Sequence, residues 1–289
     1  MALPSQGNPL TWLAALGSRH HMISGAACHS HGKKEAPMRA VVILLSLALL
    51  SVPASAEPTD VTVRVLAKDS KFVGTSMGGM RIVLRDAHTG EIVATGVTEG
   101  GTGDTRLIMH EDRGSRAQLS DESAAKFIAR LDLDEPRLIE AEAFGPIGQP
   151  QAAVRVLSTQ WVVPGRGLTG GDGWVLELPG LAVDVLAPPA HVRIPEKTAA
   201  VDLRANVLMM CGCPIEPGGL WDADKLEVKA IVKRNGARVG ETELAFAGET
   251  SQFAGKVAVD APGNYEIIVF AHDRSNGNTG LDRTTFIAQ

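Results

Sequence analysis

The residues with the greatest capacity for chemistry stand together at Met209-Met210-Cys211-Gly212-Cys213-Pro214. On an extended chain, residues two apart project to one side, so both thiols can face a single point while Gly212 permits a bend and Pro214 ends the ladder. Two thiolates beside thioether sulfurs form a soft donor set, which suits Cu(I) or Zn better than a hard cation. The spacing therefore predicts a copper(I) site drawn from Cys211, Cys213, Met209 and Met210.

Three other readings of the same residues stay open. In an oxidising compartment the two cysteines form a tight disulfide, since their α-carbons in a straight strand sit near the upper limit of disulfide reach. A strained short-loop disulfide is reduced comparatively easily, which makes thiol exchange with a partner an option. Alternatively Met209 fills core space and the thiols are inert.

Around this motif the chemistry thins out. Glu216-Pro217-Gly218-Gly219-Leu220-Trp221-Asp222 is a glycine-rich loop with one large aromatic, which either presents Trp221 to a ligand or plugs the end of the fold. Asp222, Asp224, Asp273, Asn276, Asn278 and Asp282 fall in loops. They could collect Ca²⁺, but their spacing is not that of an EF-hand, and turn chemistry explains them equally well. Thr169–Trp174 lacks the Lys and Ser/Thr of a phosphate-binding loop and enters a strand, so it reads as an ordinary loop. His110, Glu111, Asp112, Lys126 and Arg130 titrate but form no recognisable triad. The chain is therefore expected not to be an enzyme.

The elements that must hold these groups are strands. Period-two alternation recurs from Val61-Val63-Val65 onward, and runs at helical spacing are scarce. Ile82 and Leu84 lead through Ala87-His88-Thr89-Gly90 into Ile92 and Ala94, a compact hairpin. Strands are predicted over Phe127–Leu133, Leu138–Phe144, Ala153–Leu157, Thr159–Val163 and Trp174–Leu178, with a short helix from Ser120 as a rival for part of this region. Pro188 and Pro189 break the pattern and read as a linker. Beyond it, Val201–Met209, Leu226–Val232, Val239–Phe246, Phe253–Val259, Tyr265–His272 and Thr284–Ile287 alternate, with Asn235-Gly236 as a two-residue hairpin signal. The fold class this implies is all-β: two consecutive β-sandwiches, over 57–186 and 192–289, joined by a proline-rich linker at 187–191.

An address label precedes them. Lys33, Lys34 and Arg39 lead into an apolar run from Ala40 to Leu50, and Ala54-Ser55-Ala56 supplies small residues for cleavage before Glu57, so 1–56 is read as an upstream extension plus a secretory signal peptide. Met22 or Met38 then serves as the start, and His20, His21, Cys28, His29 and His31, though they resemble a metal tract, belong to the extension. A run of about 11 apolar residues is too short to span the roughly 30 Å hydrocarbon layer, so no stable membrane insertion is expected after cleavage. The net charge of −5, from 28 basic and 33 acidic residues, offers no footprint for nucleic acid or anionic lipid. Few cysteines exclude a small disulfide scaffold. A periplasmic or secreted soluble product is expected.

Two resemblances add to this reading. Pro262–Ala288 (P-G-N-Y-E-I-I-V-F-A-H-D-R-S-N-G-N-T-G-L-D-R-T-T-F-I-A) resembles the last two strands of bacterial immunoglobulin-like domains. Gly78–Thr98 (G-G-M-R-I-V-L-R-D-A-H-T-G-E-I-V-A-T-G-V-T) is similar to the carboxypeptidase-regulatory and transthyretin-like β-sandwich repeat. The first resemblance implies that the strand carrying His272 neighbours the Cys211 strand, adding a ring nitrogen to the soft donors. Together they imply accessory modules, and so an exported binding protein of the cell envelope with another envelope or periplasmic protein as partner. A thiol–disulfide element, or a purely structural protein–protein or glycan module, is the alternative.

Overall fold

The computed structural model describes residues 56–110 and 117–289. The signal peptide, the histidine-rich tract, and Glu111 and Asp112 lie outside the described residues. From Glu57 onward the chain is nearly all β, and no helix among the described residues is long and apolar enough to cross a membrane.

Among the described residues, seven strands build the first sandwich. One sheet has the order β4 (Phe127–Leu133), β1 (Glu57–Ala67), β7 (Trp174–Leu178), with β1 and β7 parallel. The other runs β3 (Ile92–Val97), β2 (Arg81–Asp86), β5 (Arg137–Gly145), β6 (Val154–Val162), all antiparallel. Alternation decides which side chains enter the core: Val61, Val63 and Val65 face Ile82, Leu84, Ile139 and Ala141 between the sheets. The hairpin through 87–90 forms as expected, and the two strand predictions in 153–163 merge into β6. No helix starts at Ser120. The Asp121 carboxylate accepts the N–H groups of Ser123 and Ala124 in a turn, and a helix α1 of five residues stands instead at Thr105–Met109, capped by Asp104. The loop reading of 169–174 holds: the Asp172 carboxylate accepts the N–H groups of Leu119 and Ser120 at 3.0 and 2.6 Å, and its carbonyl accepts from Arg64.

The second sandwich has nine strands. One sheet is ordered β13 (Ala245–Phe246), β14 (Gln252–Ala258), β10 (Ala200–Met209), β8 (Leu181–Ala187). The other is β12 (Ala237–Glu243), β11 (Leu226–Arg234), β15 (Gly263–Asp273), β16 (Thr279–Ala288), β9 (Val192–Ile194). Asn235 and Gly236 both adopt positive φ, the backbone a two-residue hairpin turn demands. At the start of β15 the Tyr265 hydroxyl donates to the Ala261 carbonyl at 2.9 Å while its ring stacks on Phe286, centroids 4.7 Å apart. A tyrosine bonded back to the preceding corner is an immunoglobulin-like feature.

Two segments sit differently from the sequence reading. Leu181–Leu186, placed in the first module by the proline signal, and Ala187, placed at the start of the linker, form one strand that pairs antiparallel with β10 and completes the second sandwich. The chain therefore crosses between sandwiches at Pro179–Gly180, and the proline segment lies against β16, where Thr284 donates to the Pro188 carbonyl and His191 to that of Thr285. The predicted strand Val239–Phe246 breaks at Leu244, which is buried and bonds through its N–H to Val228, so its two parts join opposite sheets. One cluster of buried apolar side chains takes in residues of both sandwiches, Met77, Leu181 and Met210 among them.

Candidate functional site

Where β10 ends, the chain turns back on itself. The Gly212 N–H donates to the Met209 carbonyl at 2.8 Å and the Met209 N–H to the Cys213 carbonyl at 3.1 Å. This brings the α-carbons of Cys211 and Cys213 to 5.5 Å, and their sulfurs are joined as a disulfide. Gly212 is required twice over: its φ is +80°, and a Cβ there would lie 2.8 Å from the Met77 sulfur of the first sandwich.

The pair lies in the seam between the sandwiches and not on an open rim. Cys211 and Cys213 are 1% and 5% exposed. The buried Ser70 hydroxyl, carried by the turn that follows β1, sits 3.0 Å from the Cys211 sulfur. Since a disulfide sulfur carries no proton, Ser70 is the donor. Around this point the seam is stitched by further long-range bonds. Buried Asn278 donates to the Lys68 carbonyl and accepts from the Gly180 N–H, Lys68 reaches the Asn276 carbonyl at 2.7 Å, and Gln151 reaches that of Val183 at 3.2 Å.

The five residues proposed as soft-metal ligands are only partly brought together. The two cysteines meet. Met209 continues the core face of β10 and lines one cavity, while Met210 points the other way and lines a second, smaller one beside Gly180 and Leu281. His272 is not a strand neighbour of Cys211: the partners of β10 are β8 and β14, whereas β15 belongs to the opposite sheet. Alternation places His272 on the outward face of β15, with Nδ1 2.9 Å from the Thr279 hydroxyl. Among the described residues no group of three or more His, Cys, Asp or Glu could hold a metal ion. The residues that sequence reasoning missed, Ser70 and Met77, come from the other sandwich, so no local spacing could have announced them.

Beside the disulfide lies a cleft of about 340 Å³, walled by Asp69 and Met109 of the first sandwich and by Met209, Ile215, Leu220, Trp221 and Asp273 of the second. Trp221 neither plugs the sandwich nor swings free. Its indole N–H donates to the Asp69 carbonyl at 3.0 Å, fixing the ring across the seam. Asp222 accepts the N–H groups of Gly218 and Asp224, which hold its carboxyl below the ordinary range and keep it ionised. Asp273 is engaged by Ser275 and Asn276, so these loop acids make turn bonds. Among the described residues, three aspartates, Asp69, Asp222 and Asp273, and one lysine, Lys225, line the cleft.

No family model matches the chain, and no curated protein matches it. Among solved structures it is similar to an engineered protein, at 16% identity and TM-score 0.29, over 44% of this chain and 24% of that one. It thus spans about a quarter of that protein's length. It is also similar to the fibronectin(III)-like modules of Clostridium thermocellum CbhA (12% identity, TM-score 0.27, 83% of this chain and 92% of that one). A tandem of titin immunoglobulin domains aligns at 9% identity and TM-score 0.22, over 81% and 98%. Overlaps this shallow transfer no role. Over the described residues the sheets establish a nearly all-β fold of two sandwiches, the second immunoglobulin-like at its tyrosine corner, with a cysteine pair buried where they meet.

Proposed function

We propose that the chain is an exported, non-enzymatic binding module of the cell envelope, in which the Cys211–Cys213 disulfide fixes the turn that packs into the seam and the cleft beside it receives a partner. The observation that carries this reading is that the cleft has walls from both sandwiches and a tryptophan fixed between them by a bond across the seam. Apolar and polar residues line the cleft in equal number, so a partner that fits it must offer both an apolar and a polar contact. The excess of carboxylates favours a basic side chain carried on an apolar stem, such as a lysine-bearing segment of another envelope or periplasmic protein. Burial of both sulfurs favours this structural role in the turn over thiol exchange with a partner. Calorimetric titration with a Lys-Leu-Lys peptide and with Glu-Leu-Glu tests the reading. The basic peptide binds, the acidic one does not, and Trp221→Ala weakens binding about tenfold. Equal affinity for both peptides, or binding indifferent to Trp221, contradicts it.

A second reading is favoured by one observation, the Met77 thioether beside Gly212. Once reduced, Cys211 and Cys213 with Met77 and Met209 or Met210 would offer soft donors to Cu(I). Copper and zinc content of anaerobically purified protein, beside the Cys211→Ser/Cys213→Ser double variant, decides it: equal and near-zero metal in both excludes metal capture.

A further inference from the structure

Exposed sheet edges invite pairing with other chains, and most edges of this molecule are blunted. β13 and β9 are only two and three residues long. β12 carries Arg238, Glu241 and Glu243 in seven residues. β8 carries Asp184 and runs into Pro188. β4 carries Arg130 and Asp132, and β7 is five residues long. The two sheets of the first sandwich meet at both sides, β3 beside β4, with the Phe127 ring against Gly96, and β6 beside β7. β6 stands apart by its length and its low charge. It is nine residues long (V-R-V-L-S-T-Q-W-V), has Arg155 as its single charge, and pairs with β5 alone among the described strands. Its outward face presents Leu157 and Trp161, 58% and 57% exposed.

The residue order of β6 is complementary to itself. An antiparallel pair of two β6 strands uses all nine residues only when centred on Ser158. In that register Leu157 faces Thr159 of the second copy, Val154 faces Val162, and Arg155 faces Trp161, while the two arginines never oppose one another. Arginine against the indole face is a favourable pairing of a cation with an aromatic ring. A slip of one residue would turn Leu157 and Trp161 away from these partners. We propose that β6 pairs antiparallel with β6 of a second copy of this chain, centred on Ser158, joining the two four-stranded sheets into one continuous sheet. This surface is separate from the cleft and stands or falls independently of it.

Sedimentation equilibrium of the full chain over a range of concentrations tests the proposal, alongside Trp161→Lys and Trp161→Glu. Both substitutions fall at an exposed position, and far-ultraviolet circular dichroism checks that each variant is folded. The parent shows a monomer–dimer equilibrium. Trp161→Lys sets lysine against Arg155 twice per dimer and raises the dimer dissociation constant about tenfold or more, whereas Trp161→Glu sets a carboxylate against Arg155 and stays within about threefold of the parent. A parent that remains monomeric throughout overturns the proposal, and so does association that responds equally to the two variants.

Discussion

At the seam, Ser70, Asn278 and the cysteine pair meet partners that are distant in sequence and are sealed from water. On the outward side of β11, Glu227 pairs with Lys229 two residues along the same strand at 2.7 Å and with Arg274, just beyond the end of β15, at 2.6 Å, and these groups keep contact with water. Both regions are polar, but their energetics differ. A buried donor or acceptor that loses its partner incurs its full desolvation cost, whereas an exposed ion pair exchanges one set of favourable contacts for water. The seam should thus respond sharply to single substitutions, and the outer face weakly and mainly through pH.

The sharpest test of this difference is Gly212→Ala, which forces a side chain into positive φ and against the Met77 sulfur. A loss of about 2–3 kcal/mol in urea unfolding is expected, and a neutral result would show that the turn relaxes freely. Asn278→Ala comes next, since it removes bonds to the Lys68 carbonyl and the Gly180 N–H in a buried setting and should cost about 2 kcal/mol by the same measurement.

On the outer face the effects are smaller and read through pH. Hydrogen bonds from Lys229 and Arg274 depress the Glu227 carboxyl from its ordinary 4.5 to about 2. Its contribution to stability is therefore present above 4.5 and lost as pH falls toward 2, so the gap between the parent and Glu227→Gln should close over that window. Asp184 shifts the opposite way, raised by burial and by the neighbouring Asp282. Stability linked to it is present below its unfolded value and lost as pH rises through the folded one. Asp184→Asn should accordingly match the parent in acid and exceed it slightly at neutral pH in thermal unfolding, and a variant less stable at neutral pH would reverse that sign.

The same contrast explains what was legible in the sequence. Alternation located β10 and β11, and Asn235-Gly236 located their neighbouring hairpin, because a strand's facing and a tight turn are decided by residues close together. Leu181–Leu186 reads as part of the first module because the visible punctuation, Pro188-Pro189, follows the strand, while the partner that claims it lies about twenty residues onward in β10. The cysteines were identified as a meeting pair, but their surroundings were not. Ser70 lies 141 positions from Cys211, and nothing in Lys68-Asp69-Ser70-Lys71 distinguishes it from a surface turn. His272 failed as a neighbour because two strands of one sandwich are adjacent only within a sheet, and which sheet each joins is decided by packing across the core.

A cleft with walls from both sandwiches requires that the seam make one unit of the two. Urea unfolding followed in parallel by hydrogen exchange of β1 amides in the first sandwich and β15 amides in the second tests this directly. Coincident transitions in the parent that separate in Gly212→Ala are the predicted result. Separate transitions already present in the parent would contradict it, because a cleft shared by two independently opening halves could not hold a partner between them.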